Sequence, residues 1–214
     1  MDFSLTNKIL EEVESGINGK IKVVKSLGLG TYIQVEGLTQ SGGVVYGLWK
    51  STLRRIKSQK LGVLYCLILG LGGGSAATLV KKYWPKAEIV GVDIDPYIVE
   101  LGRKYLGLTG LEVVIGDAAD FVKKSKKKYD LVLIDTYIGY EFPKRFEEEG
   151  FLKDVKKNLE NSGIAVFNRL YMADRRAGAI RFGERLDKVF KRVERIYPEA
   201  NVMFECFETP LLTK

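Results

Sequence analysis

Histidine is missing from this chain of 214 residues. Its absence excludes serine–histidine–aspartate and cysteine–histidine nucleophilic catalysis, and any metal site built on imidazole. A proton-transfer role would fall to a carboxylate, a tyrosine, a lysine or water. Cysteine is scarce. Cys66 and Cys206 each sit in an apolar run that reads as a strand, so small buried hydrophobes are expected rather than a disulfide framework. Long hydrophobic runs are also lacking, and none approaches the ~20 residues that span a bilayer. The acidic, amphipathic start MDFSLTNKILEEVESG does not have the layout of a secretory signal, so the expected compartment is the cytoplasm.

Positive charge is in excess, with a formal net charge of +7. Part of the excess is local, in Lys123, Lys124, Lys126, Lys127 and Lys128. Such a cluster reads either as a phosphate-binding patch or as a solvated helix end that keeps the protein in solution. The length suits one domain, or one domain with a small appendage.

Two textures divide the chain. Residues 1–60 read as a small β-rich appendage with a linking helix. There, NKILEEVES is expected as a short amphipathic helix, GKIKVVKSLGLGTYIQVEGL as two strands around a turn at 27–30, GGVVYGLW as a third strand, and STLRRIKSQ as a helix capped by Ser51. From residue 61 to 214 strands alternate with helices. VLYCLILG, AEIVGVD, LEVVIGD, YDLVLID and NSGIAVFNRL are each followed by a helical pattern, and VERIYP and NVMFECFE close the chain as strands. This alternation predicts a doubly wound, mostly parallel, Rossmann-like α/β sheet of seven strands.

Glycines crowd the end of the first of these strands, as Gly70, Gly72 and Gly74. The dinucleotide fingerprint requires glycine or alanine where Ser75 stands, and a P-loop requires a Lys-Ser or Lys-Thr pair that is absent. Asp93 ends the next strand about twenty residues on, where a carboxylate can accept from both hydroxyls of a ribose. Asp117 ends the third strand, where a carboxylate can accept from an adenine amino group. Each acid taken singly could instead cap the helix that follows it. Together the three strand ends point to a nucleoside.

The segments CLILGLGGGSAATLVKKY, VGVDIDPYIVELGRKYL, LEVVIGDAADFVKK and YDLVLIDTYIGYEFP resemble the adenosylmethionine-binding core of class I methyltransferases. More particularly, they resemble the spermidine synthase (polyamine aminopropyltransferase) family, and the likeness extends to the β-rich start with Gln40 ahead of Tyr46. By position, the resemblance implies Gly70, Gly72 and Gly74 at the methionine end of the ligand, Asp93 and Ile94 at the ribose, Asp117 and Ala118 at the adenine, and Asp135 at the reacting centre. In two places the chain departs from the family pattern. Gly73 stands where the family carries an aspartate that contacts the ligand's tail, and Ile138 stands where a second loop aspartate deprotonates the amine. The acidic pair and the histidine of the family's polyamine site have no counterpart in QSGGVVYGLWKS. A polyamine needs carboxylates to offset its desolvation.

The expected function is therefore an S-adenosyl-L-methionine-dependent transferase of spermidine-synthase-like architecture, most simply a methyltransferase. Asp135 is the catalytic candidate, and Gln40, Tyr137, Tyr140 and Glu141 are candidates for the acceptor pocket. The alternatives are a diverged aminopropyltransferase using decarboxylated S-adenosylmethionine and a non-catalytic nucleoside-binding protein. The expected partner is a small-molecule acceptor. A nucleic acid met by the lysine cluster and Arg175, Arg176, Arg181 and Arg185 is a weaker expectation, and a homodimer is possible in principle. No membrane and no metal are expected.

Overall fold

A computed structural model describes residues 7–59, 61–172 and 174–209. The first residues of the acidic start, the appendage boundary at 60, residue 173 and the chain's last residues lie outside the described residues. Four antiparallel strands come first, in the order β1 (Asn7–Ser15), β2 (Gly19–Ser26), β3 (Gly30–Val35) and β4 (Leu38–Gly42). Helix α1 (Gly43–Ser58) leads to the second sheet.

NKILEEVES is a strand, not the expected helix. Its apolar residues are spaced as on a helix because a bulge between Ile9 and Glu11 takes up one residue. Leu10 and Val13 thereby both reach the core. Glu12, paired with Lys20 and Lys22 across the hairpin, fixes the register. GGVVYGLW, expected as a strand, is the first half of α1. Its valines suggest a strand, but Leu48, Trp49, Thr52, Leu53 and Ile56 recur at helical spacing and are all buried. Ser51 is therefore no N-cap: its hydroxyl donates to the Leu48 carbonyl in the middle of the helix.

The second sheet holds β5 (Tyr65–Leu69), β6 (Glu88–Asp93), β7 (Glu112–Ile115), β8 (Tyr129–Ile134), β9 (Leu159–Leu170), β10 (Arg192–Ile196) and β11 (Asn201–Phe207). Their spatial order is β10-β11-β9-β8-β5-β6-β7. β5 to β9 run parallel, and the last two strands form an antiparallel hairpin on the β9 edge. The parallel strands read as unbroken apolar runs because helices cover both faces. On one face, α1, α2 (Ser75–Tyr83) and α3 (Pro96–Tyr105) share a continuous core with Ile21, Val23, Ile33 and Val35 of the small sheet, which locks that sheet onto the larger one. On the other face lie α4 (Ala118–Lys124), α5 (Glu149–Lys157) and α6 (Arg176–Val189), packed on Leu67, Leu69, Val132 and Phe167. Cys66 and Cys206 are fully buried and unbridged.

β5 has β6 on one side and β8 on the other, so the chain reverses its direction of winding there. A crevice opens beyond the carboxyl ends of strands at such a point. The loops after β5, β6 and β8 meet at this crevice. The Asp135 N–H donates to Leu69, and the Gly70 N–H to Val92.

Candidate active site

A cleft of about 320 Å³ occupies that crevice, with the small sheet and α1 as its roof. Its size falls in the ordinary range for small-molecule sites. Gly70, Gly72, Asp93, Ile94, Ala118, Asp135, Gln40 and Tyr137 all line it.

The glycines serve packing as much as access. A Cβ on Gly70, whose φ is +82°, would run into the Asp135 carbonyl. One on Gly72 would lie 2.8 Å from Ser41 Oγ. Gly74 does not line the cleft and packs under Leu108 instead. Gly73 is also turned away from the cleft. A Cβ there would meet the side-chain ends of Ile33 and Leu106 and the Ser41 Cβ at 2.7–3.0 Å, so an aspartate at this position would have to displace those side chains.

Asp93 leaves the end of β6 with one oxygen accepting from the Gly72 N–H (2.6 Å) and the other from the Asp95 N–H (2.9 Å). Burial raises its pKa to about 6, against the opposing effect of those N–H bonds. Asp95 caps α3 and also accepts from Ser15 and Asn18 of the β1–β2 turn, which holds that turn at the cleft.

Asp117 caps α4 through the N–H groups of Ala119 and Asp120, and its second oxygen pairs with Arg145 at 2.7 Å. The Arg145 side chain, not the Asp117 carboxylate, lines the cleft, beside Gly116, Ala118 and Phe146. The helix-cap role read from the sequence thus describes Asp117 in this structure.

Asp135 follows β8 and faces the centre of the cleft. Trp49 Nε1 donates to one of its oxygens at 3.0 Å, and Asn168 Nδ2 to the other at 2.8 Å. Asn201 Nδ2 donates in turn to Asn168 Oδ1 at 2.8 Å, which orients the Asn168 amide toward the carboxylate. Desolvation raises the Asp135 pKa to about 6, with the Asp93 charge adding to the rise and the two donors opposing it. The next residue, Thr136, lines the cleft with a buried hydroxyl that has no hydrogen-bond partner.

Tyr137 lines the cleft, but its oxygen already accepts from the Leu170 N–H at 2.7 Å, and burial raises its pKa to about 12. Gln40 donates to the Gly139 carbonyl and ties β4 to the loop after β8. Tyr140 and Glu141 do not line the cleft; Glu141 is exposed and pairs with Arg175. The lysine cluster lies at the other end of the strands, away from the cleft. Lys127 stacks over Tyr65 at the start of β5, and Lys128 donates to carbonyls of Lys157 and Leu159.

Sequence reading missed Asn18, Trp49, Arg145, Glu199 and Asn201, all of which line the cleft. No local motif announces them, because they come from segments far apart in the chain. Glu199 stands on the β10–β11 turn with φ at 52°, a position that only the structure reveals. Among the described residues no cluster of acidic and cysteine side chains is arranged to hold a metal ion, and no helix is long and apolar enough to cross a membrane.

The doubly wound sheet with its antiparallel last hairpin, and a cleft at the switch between β5 and β8, define a class I methyltransferase-like fold. Within that class, the spermine/spermidine synthase domain matches residues 60–199, and the chain belongs to that family. A polyamine aminopropyltransferase from Chromobacterium violaceum is 34% identical over 131 residues, covering 59% of this chain and 49% of that protein. The eEF1A lysine and N-terminal methyltransferase of Mus musculus is 28% identical over 156 residues, covering 67% of this chain and 22% of that protein. The crystal structure of spermidine synthase from Thermotoga maritima superposes with a TM-score of 0.75 at 19% identity, over 94% of this chain and 73% of that one. The chain spans about half the length or less of these curated relatives.

Proposed function

We propose that this protein is an S-adenosylmethionine-dependent methyltransferase built on the spermidine synthase architecture. When bound, the sulfonium would supply an electrophilic carbon. The chain's own residues have the remaining tasks of binding, orientation and proton removal. Asp93 accepts from ribose hydroxyls. Ile94, Ala118 and Phe146 form apolar walls suited to a base. Asp135, held by Trp49 and Asn168, orients the nucleophile and takes its proton at Oδ.

The observation that carries the choice of methyl over aminopropyl transfer is the polar lining between the glycine loop and the small sheet. Ser41 Oγ accepts from the Gly73 N–H and Ser75 Oγ from the Gly42 N–H, each at 2.7 Å, so each hydroxyl keeps its own proton to donate into the cleft. Hydroxyl donors suit a carboxylate, as on the zwitterionic tail of adenosylmethionine. A decarboxylated tail is a bare cation and needs an acid, and this chain carries Gly73, with Ile33, Leu106 and Ser41 packed close around it, where the family has one.

Aminopropyl transfer is the second reading, favoured by what the C. violaceum relative is. Thermal melting with adenosylhomocysteine and with NAD tests the proposal at its base. Adenosylhomocysteine at 100 times its Kd is expected to stabilise the protein by about 2.7 kcal/mol, and NAD not at all. Stabilisation by NAD alone would overturn the nucleoside assignment.

A further inference from the structure

The lining of the cleft carries four charged side chains: Asp93, Asp135, Arg145 and Glu199. Asp93 and Arg145 belong to the half of the cleft given above to the nucleoside. The half beyond Asp135 holds the other two, both acidic, with Glu199 on the exposed β10–β11 turn. Between them the walls are largely apolar. Val44, Leu48 and Trp49 of α1, Leu170 at the end of β9 and Met172 just beyond it all line this part of the cleft. Apolar side chains continue to the mouth, where Val44 is 51% and Met172 37% exposed.

Resting on the transferase reading, we propose that the acceptor is a small amine with one positive charge and an apolar body. Its nitrogen sits at Asp135, and its body lies along Val44, Leu48, Trp49, Leu170 and Met172. Charge complementarity fixes the head, because the carboxylates of this half of the cleft favour a cation over a phenolate or a carboxylate. Wall chemistry fixes the body. A second ammonium along it would lie against aliphatic side chains, with no acid beside it among the described residues, uncompensated for its lost water. The single acid at the rim, Glu199, is exposed and screened, so it raises the local concentration of a cation more than it binds one. In the transfer, the bound ammonium first gives one proton to Asp135, the lone pair thus freed on nitrogen forms the new N–C bond, and the C–S pair returns to sulfur, leaving a neutral thioether and a secondary ammonium product.

Titration calorimetry with three probes tests this, run with and without saturating adenosylhomocysteine. Phenethylamine carries one charge on an apolar body, putrescine two charges without one, and 2-phenylethanol the same body without charge. Phenethylamine is expected to bind at least about tenfold more tightly than either of the others. In Val44→Asp, an acid enters the rim in the first turn of α1, where a carboxylate suits the helix. That variant is expected to keep its adenosylhomocysteine affinity while the preference for phenethylamine over putrescine narrows or reverses. Putrescine binding the parent as tightly as phenethylamine, 2-phenylethanol matching phenethylamine, a preference unmoved by Val44→Asp, or no binding of any probe would each overturn the inference. Failure of adenosylhomocysteine to bind, with the amine ranking intact, would count against the transferase reading instead.

Discussion

Asp135→Asn is expected to cut turnover by about two to four orders of magnitude while the protein stays folded and still binds adenosylhomocysteine. That range is the usual contribution of a positioned general base. The variant keeps the size of the side chain and one acceptor, so Trp49 or Asn168 retains a partner. What it loses is the charge that a cationic amine meets on binding and the site that takes its proton to make it a nucleophile. The pH dependence follows from the raised pKa of about 6. Above it the carboxylate is ionised and competent. Below it the group is protonated, so the parent's rate is expected to fall about tenfold per unit as pH drops. Asp135→Asn should show no such limb. Stability carries the opposite sign. A folded pKa above the usual aspartate value means that the folded state holds the proton more tightly than the unfolded chain. The contribution is fully present below pH 4 and is lost as pH rises through 6. Melting temperatures across this window, parent against Asp135→Asn, separate a base from a structural cap, because a cap would lose stability with little change in rate.

Asp93→Ala should weaken nucleoside binding by about two to four orders of magnitude. Two hydrogen bonds from ribose hydroxyls to a charged group are removed, each contributing about 1.5–3 kcal/mol. Calorimetric titration of adenosylhomocysteine into the variant gives the number directly. Asp93→Asn, which keeps one acceptor, should fall between the two. Because Asp93 also has a raised pKa of about 6, parent affinity should decline as pH falls through that value. Unchanged affinity in Asp93→Ala would mean that this carboxylate only ties the loop, through the Gly72 and Asp95 N–H groups.

These two carboxylates were legible in the sequence because each ends a strand whose apolar run is unmistakable. The alternation of strand and helix then puts the strand ends side by side. The glycine loop was legible for the same reason, although the space its glycines leave is taken up largely by Ser41, Leu108 and the Asp135 carbonyl. Three features of the first 60 residues hid the roof of the site. The bulge at Ile9–Glu11 made a strand resemble a helix. The valines of α1 made a helix resemble a strand. Ser51 offered a false start to that helix. Misreading α1 concealed Trp49, since only a helix presents Leu48, Trp49 and Leu53 to one core. Asn168 reaches Asp135 through the pairing of β9 with β8, and Asn201 reaches Asn168 through the pairing of β11 with β9, long-range registers that no local pattern encodes. Asp117 shows the limit of reading single residues. Its position fits both a ligand contact and a helix cap, and Arg145, 28 positions on, occupies the oxygen left over by the cap.

The central claim is that the pocket beside the glycine loop is built for a zwitterionic tail. Calorimetry of adenosylmethionine against its decarboxylated form, on the same protein at the same pH and salt, tests it most directly. The two ligands share adenine, ribose and sulfonium and differ by one carboxylate, which would face the hydroxyls of Ser41 and Ser75 across a loop that carries Gly73 in place of an acid. The account predicts that adenosylmethionine binds at least about tenfold more tightly. Tighter binding of the decarboxylated form would contradict it and make aminopropyl transfer the better description of this protein.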